Sequence, residues 1–281
     1  MTIFGCKKSN DLDQTGYRMK KTTGSLGTET VLTFDSSGRV TKSLTSKNGE
    51  TIYQKDYVYD GSGNLISDKT TSNSYTSEYN YQYNNNNKIT KNIIGEYTYV
   101  DYTYNSDGTL NTETRYDTDY SPVVKTYVYE NGKIKRILKN NQACGDDFEY
   151  NENGKPTKKI QCEVAAGGMI YSIDTYLITY NSQGQISKSE DYYRGNKIKE
   201  INYTYNSSGM LVKTEVVGVS TILYSYNSSE TLTGYQVDNS SGIEYFTIEY
   251  ETGTAQEIPN INFKLGLVDK ITLPGGFILY Y

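Results

Sequence analysis

One short cassette recurs nine times along this chain and limits it to a narrow set of folds. It reads FDSSGRV from Phe34, YDGSGNL from Tyr59, YNNNNKI from Tyr83, YNSDGTL from Tyr104 and, shortened, YENGKI from Tyr129. It continues as YNENGKP from Tyr150, YNSQGQI from Tyr180, YNSSGML from Tyr205 and YNSSETL from Tyr226. Each copy is an aromatic, then Asn or Asp, a polar turn, one residue and in nearly every copy an aliphatic, at a mean period of 24 residues. A period of this size marks a repeat architecture, in which each unit buries its apolar face against its neighbours.

The turn chemistry fixes the local geometry. In YNSDGTL a three-residue loop with Gly108 in the left-handed conformation pairs Asn105 with Thr109 and sets Tyr104 opposite Leu110. In YENGKI, Asn131-Gly132 suits a two-residue type I′ turn, so Glu130 pairs with Lys133 and Tyr129 faces Ile134. Asn87 takes the glycine position in the third copy, which Asn tolerates. Glu230 stands there in the last copy, which should be the least regular.

The flanks alternate with period two, as strands do. Tyr79, Tyr81 and Tyr83 share one face, as do Ile201, Tyr203 and Tyr205. A second, variable set of turns lies between cassettes, near Asn48, Ala165, Tyr193 and Asp238. Each repeat is therefore one strand up and one down. The sequence predicts an all-β, antiparallel up-and-down meander of about 18 strands, curled into a barrel-like or wrapped sheet, because a twisted open sheet rarely exceeds about ten strands. Residues 1–16 read as a flexible tether, 17–281 as one repeat-built domain, and 251–281 as an irregular capping segment.

Composition agrees: 31 Tyr and 25 Gly stand against six Phe, four Pro and no Trp. The absence of His excludes His-based triads, His-ligated metals and His acid-base catalysis. A net charge of −5 with interleaved signs offers no basic patch for nucleic acid. No spaced ligand set predicts a metal or other cofactor, although Asn/Asp turns could in principle hold Ca²⁺.

Carried outward from the turns, the register sets Tyr81 against Lys91, Phe148 against Lys158 and Tyr203 against Lys213. Lys42, Arg136 and Lys188 fall on the same face. Cations there would cost roughly 2–4 kcal/mol each against lipid, whereas in water their stems can cover tyrosine rings. No apolar run approaches the ~18 residues of a spanning helix. A water-soluble sheet is the expectation, with an outer-membrane β-barrel as the alternative.

Three cysteines bear on location. Cys6, in TIFGCKKSND, looks like the acylated cysteine of a bacterial lipoprotein, although five preceding residues are too few for a signal peptide. The alternative is an incidental cysteine near the N-terminus. The YNENGKP register places Cys144 directly opposite Cys162 in a pair without ladder hydrogen bonds, where Pro156 also fits and the Cα atoms approach closely. A disulfide between them implies an oxidising compartment, and two buried thiols are the alternative.

FDSSGRV, YDGSGNL and YNSDGTL together resemble the tyrosine-aspartate repeats of Rhs and teneurin-type proteins. Combined with GCKKSND, the chain is similar to uncharacterised Bacteroidota lipoproteins built of such repeats. The resemblance covers residues 34 to about 250 and implies a porin-like or barrel-like sheet in a surface or periplasmic protein. Asn replaces Asp after most of the tyrosines, and the shell-forming length and cleaved toxin tip of the Rhs proteins are missing.

The expected function is therefore non-enzymatic: binding, adhesion or a structural role at the cell envelope, with the membrane reached only through a lipid anchor on the periplasmic side or at the surface. A sheet rich in Tyr, Asn and Lys suits a glycan or another surface protein, while the plainer reading is that the tyrosines are core. The enzymatic alternative is a glycoside hydrolase using Asp146, Asp147 or Glu149, with Asp147 and Glu149 placed opposite Lys159 and Thr157.

Overall fold

The computed structural model describes residues 17–117, 120–140, 145–164, 170–228, 232–252, 270–273 and 277–280. All regular structure in these residues is β. The chain runs through β1 (Tyr17–Gly24), β2 (Thr28–Phe34), β3 (Val40–Lys47), β4 (Glu50–Tyr59), β5 (Leu65–Ser72), β6 (Thr76–Tyr83) and β7 (Ile89–Ile94). It continues with β8 (Tyr97–Tyr104), β9 (Leu110–Asp117), β10 (Tyr120–Glu130), β11 (Lys133–Lys139), β12 (Gly145–Tyr150), β13 (Pro156–Val164) and β14 (Ile170–Tyr180). The sheet is completed by β15 (Ile186–Tyr193), β16 (Asn196–Tyr205), β17 (Leu211–Val216), β18 (Ser220–Tyr226), β19 (Leu232–Asn239) and β20 (Gly242–Thr252).

Every one of these strands pairs antiparallel with its sequence neighbours, and β20 pairs with β1 from Tyr17↔Thr252 to Gly24↔Phe246. The meander closes into a 20-stranded barrel, which leaves no unpaired edge. The sequence expectation of about 18 strands counted the cassettes alone. The additional two are β1 and the end strand β20, which carry no cassette and form the seam. The 251–281 segment is accordingly not a separate cap from its first residue, since Glu251 and Thr252 belong to β20. A further hairpin joins β21 (Lys270–Leu273) to β22 (Phe277–Tyr280). Residues 1–16, assigned above to a tether, lie outside the described residues.

The turns form as expected. Asn105 N–H donates to the Thr109 carbonyl at 2.8 Å, Gly108 has φ of 85°, and Tyr104 faces Leu110. The short cassette pairs Glu130 with Lys133 and Tyr129 with Ile134. Asn87 adopts a φ of 56° in place of glycine.

Beyond the turns, the expected register is wrong by one residue. In all nine cassettes a bulge falls at the aromatic: Tyr83 pairs with Ile89, but Gln82 pairs with Lys91, so Thr90 is the extra residue. In five copies that extra residue is Thr41, Thr90, Thr157, Ser187 or Thr233, and its hydroxyl donates back to the carbonyl across the bulge. Each bulge flips the rest of the strand to the other face.

Two expectations are thereby corrected. Lys91, Lys158 and Lys213 stand opposite Gln82, Glu149 and Thr204, on the face away from the tyrosines. Asp147 and Glu149 pair with Ile160 and Lys158, not with Lys159 and Thr157. The β12–β13 ladder begins at Asp146↔Gln161, and Cys144 lies outside the described residues.

One face of the sheet is packed. Ile89 and Leu110 are fully buried, and Leu65, Tyr81, Tyr127, Ile134 and Phe148 join them in one continuous cluster. Two further clusters centre on Ile201 with Tyr203 and on Tyr235 with Ile248. Three residues after most of the aliphatics, the packed face turns polar. Asp68 is only 5% exposed, accepts from the Tyr81 hydroxyl at 2.5 Å and pairs with Lys55 at 3.1 Å. Glu113 similarly accepts from Lys125 and from Tyr127.

Candidate functional site: the two rims of the barrel

Closure gives the barrel two ends of different chemistry, one made by the cassette turns and the other by the variable turns. At the cassette rim the repeated parts of the turn are spoken for internally. The side chains of Asp35, Asp60, Asn84, Asn181 and Asn206 each accept two backbone N–H groups within their own loop. This is the role of the Asn or Asp after the aromatic: a short acceptor that satisfies turn donors.

The tyrosine of each cassette reaches backwards. Tyr59 donates its hydroxyl to the carbonyl of Val40, Tyr83 to Leu65, Tyr104 to Ile89 and Tyr129 to Leu110. Tyr150 donates to Ile134, Tyr180 to Pro156, Tyr205 to Ile186 and Tyr226 to Leu211. Every acceptor is the residue at the aliphatic position of the preceding cassette. The cation before that position also reaches the next repeat: Arg39, Lys88, Lys133 and Lys155 lie over the rings of Tyr59, Tyr104, Tyr150 and Tyr180, the first at 4.8 Å. Lys88 and Lys155 donate to the carbonyls of Gly108 and Gly184.

Burial pushes the hydroxyls of Tyr59, Tyr83, Tyr129 and Tyr150 up to about 12. A tyrosine pKa raised on folding stabilises the protein fully below the unfolded value near 10, and that contribution is lost as pH rises through the folded value. We expect stability to fall between about pH 10 and 12. The absorbance of the buried tyrosinates should appear in one cooperative step with loss of the β-sheet circular dichroism signal; ionisation of every tyrosine while the sheet persists would contradict it.

The shortened cassette leaves a cleft of about 400 Å³ beside it, bordered by Glu130, Asn131, Lys133, Lys135, Glu149 and Tyr150. Within it Lys135 pairs with Glu130 at 3.7 Å and Lys133 lies over Tyr150, while Glu149 pairs with Lys158 at 3.0 Å. The other carboxylates proposed for hydrolysis are also paired, Asp146 with Lys159 at 2.9 Å and Asp147 with Arg136 through both carboxylate oxygens.

The variable-turn rim is different. Among the described residues, thirteen of the fifteen exposed large hydrophobic side chains lie in these turns or within three residues of the strand ends beside them. They include Leu26, Tyr75, Tyr97, Ile198, Val219 and Tyr245, with Tyr97 reaching 74% exposure. Some are exposed because the hairpin carries its own bulge: Ile52 is skipped between Tyr53 and Thr51, and Ile198 between Lys199 and Lys197. Composition concealed this segregation, because the same tyrosines and aliphatics build the packed face.

Of the cysteines, Cys6 and Cys144 lie outside the described residues. Cys162 is half-buried on β13 opposite Ile173. Among the described residues no three metal-ligating side chains cluster, and no helix is long and apolar enough to cross a membrane.

No family model matches the sequence. No curated protein matches it either. Among solved structures the chain is similar to the TcdB2-TccC3-TEV crystal structure, at 13% identity and a TM-score of 0.33, covering 80% of this chain and 15% of that one. A similar likeness holds for the Photorhabdus luminescens Tc holotoxin pore, at 11% identity and a TM-score of 0.32, covering 79% and 15% of the two chains. A porin-like protein from Bacteroides uniformis gives 12% identity and a TM-score of 0.32 over 83% of this chain and 96% of that one. This chain thus spans about 15% of the length of the Tc toxin chains it matches.

Proposed function

We propose that this is a non-enzymatic protein of the cell envelope, lipid-anchored through Cys6, whose variable-turn rim binds a partner at the surface or in the periplasm. The observation that carries the reading is the segregation of exposed apolar and aromatic side chains to that rim. Large exposed apolar groups gathered at one place mark an interaction surface. The geometry suits an anchor: β1 runs from Tyr17 at the cassette rim to Gly24 at the variable rim, so a tether before Tyr17 joins the barrel at the end away from the binding face.

A periplasmic or surface location is favoured over a membrane-spanning barrel by charge on both faces. The tyrosine face holds Lys55–Asp68 and Lys125–Glu113, and the opposite face holds Lys42–Asp56 and Lys91–Asp101. Whichever face met lipid would bring several cations into it at roughly 2–4 kcal/mol each near the midplane. The pairing of Asp146, Asp147 and Glu149 with cations counts against the glycoside-hydrolase alternative.

Purified protein screened against envelope extracts and glycans should bind at least one component, and Ile198→Asp with Val219→Asp should weaken that binding while the fold persists. Wild-type and double-variant protein behaving alike would remove the rim from the reading. Radiolabelled palmitate should enter the full chain and not its Cys6→Ala variant.

An oxidising location carries the disulfide between Cys144 and Cys162. It would close a loop of about 19 residues, worth about 3 kcal/mol. Non-reduced peptide mapping should recover the two cysteines in one linked species, and reductant should lower the denaturant midpoint; free thiols at both positions in envelope-derived protein would refute it.

A further inference from the structure

The rim is not uniform, and its tyrosine-bearing arc has a spacing of its own. Tyr97 pairs with Ile94, which stands across from Tyr79 on β6. The Tyr75 carbonyl accepts from Ser72 N–H at 2.9 Å, and Ser72 stands across from Tyr53 on β4. Tyr53 and Tyr79 are in phase with Tyr59 and Tyr83, so both tips rise from the packed face at its edge. They occupy successive hairpins, two strands apart, which separates them by about 10 Å.

Both rings are open, at 54% and 74% exposure, above half-buried aromatics that include Tyr79 and Tyr99 in edge contact at 6.5 Å. Arg115 lies over Tyr99 at 4.6 Å, which supports the base of the arc. Asn73 and Ser74 precede the first tyrosine in the chain and Glu96 the second, so an amide and a hydroxyl accompany one tip and a carboxylate the other. In the part of the rim that holds Ile198, Val217 and Val219, the exposed ring is Tyr193, over which Arg194 lies at 5.4 Å.

From this we infer that Tyr75 and Tyr97 form two stacking subsites for an extended polysaccharide of equatorially linked pyranose rings, laid across successive hairpin tips. The inference rests on the rim being the binding face and names the ligand class that one arc of it takes. An aromatic face covers the axial C–H groups of a pyranose, while the polar neighbours meet its equatorial hydroxyls. Two tips about 10 Å apart match alternate rings of a flat, extended chain. A coiled α-linked chain curves away from the second ring.

Calorimetric titration of the full chain with cellohexaose, xylohexaose and maltohexaose tests this. One or both extended hexasaccharides should bind and maltohexaose should not. Tyr75→Ala and Tyr97→Ala should each weaken binding about five- to tenfold, whereas the Phe variants, which keep the ring, should bind as wild type. Circular dichroism confirms that each variant folds; these tips are exposed, and the packed face does not depend on them. No binding of either extended hexasaccharide at millimolar concentration overturns the inference, as does equal binding by the Ala variants. If extract binding persists and is lost only in the Ile198→Asp, Val219→Asp variant, the polysaccharide assignment fails while the rim remains the binding face.

Discussion

A variant with phenylalanine at Tyr59, Tyr83, Tyr104, Tyr129, Tyr150, Tyr180, Tyr205 and Tyr226 is expected to be unfolded or nearly so at neutral pH. It keeps every ring and removes eight hydroxyl donors, each bonded to a backbone carbonyl in the neighbouring repeat. Each lost bond costs about 0.5–1.5 kcal/mol net, more where the abandoned carbonyl stays dry. Sites in separate repeats add approximately. The sum is about 4–12 kcal/mol, against a total stability of about 5–15 kcal/mol for a domain. Urea denaturation of the series, adding one substitution at a time, checks this. A flat response would show that the hydroxyls trade their bonds for water without loss.

Leu110→Ala is the single change expected to cost most. Leu110 has no exposed surface, faces Tyr104 across its own turn, and supplies the carbonyl that Tyr129 bonds. Removing its side chain from a packed cluster should cost about 2–5 kcal/mol, because neighbours held by their own hydrogen bonds cannot collapse into the space. The midpoint of urea unfolding should fall with an unchanged slope. A loss below about 1 kcal/mol would mean that the cluster repacks freely. Val128→Ala, on the exposed face of the same sheet, provides the comparison and should change stability by less than about 0.5 kcal/mol.

Much of this architecture was legible in the residues. The Asn-Gly and Ser-Asp-Gly turns specify their own hairpins, so the aromatic-aliphatic pair could be placed from local chemistry alone. The register beyond the turn could not, because it depends on one unremarkable residue after the aliphatic. A Thr or Ser there, as at Thr41, Thr90, Thr157, Ser187 and Thr233, is the signal that was available: its hydroxyl can bond back across a bulge. Misplacing that residue put Lys91, Lys158 and Lys213 on the wrong face.

The preference for Tyr over Phe was visible in composition, but its reason was not. The acceptor lies one repeat back, between 15 and 24 residues away, and no local pattern announces it. Closure was equally hidden, since YRMKKTTG and GIEYFTIEYET carry no cassette and meet only in three dimensions. The candidate rim was the least legible part: Ile198 and Tyr97 look in sequence like further core residues, and only the bulges and hairpin ends turn them outward.

The backward direction of the tyrosine bonds has a consequence for how such a chain is made. In each linked pair the carbonyl belongs to the earlier repeat and the hydroxyl to the later one. A ribosome therefore always delivers the acceptor first, and each newly emerged cassette finds its docking point already laid down, like tiles hung from the row before. Only the seam between β1 and β20 must wait for the whole sheet, so ring closure is the one step that requires both ends of the barrel's wall.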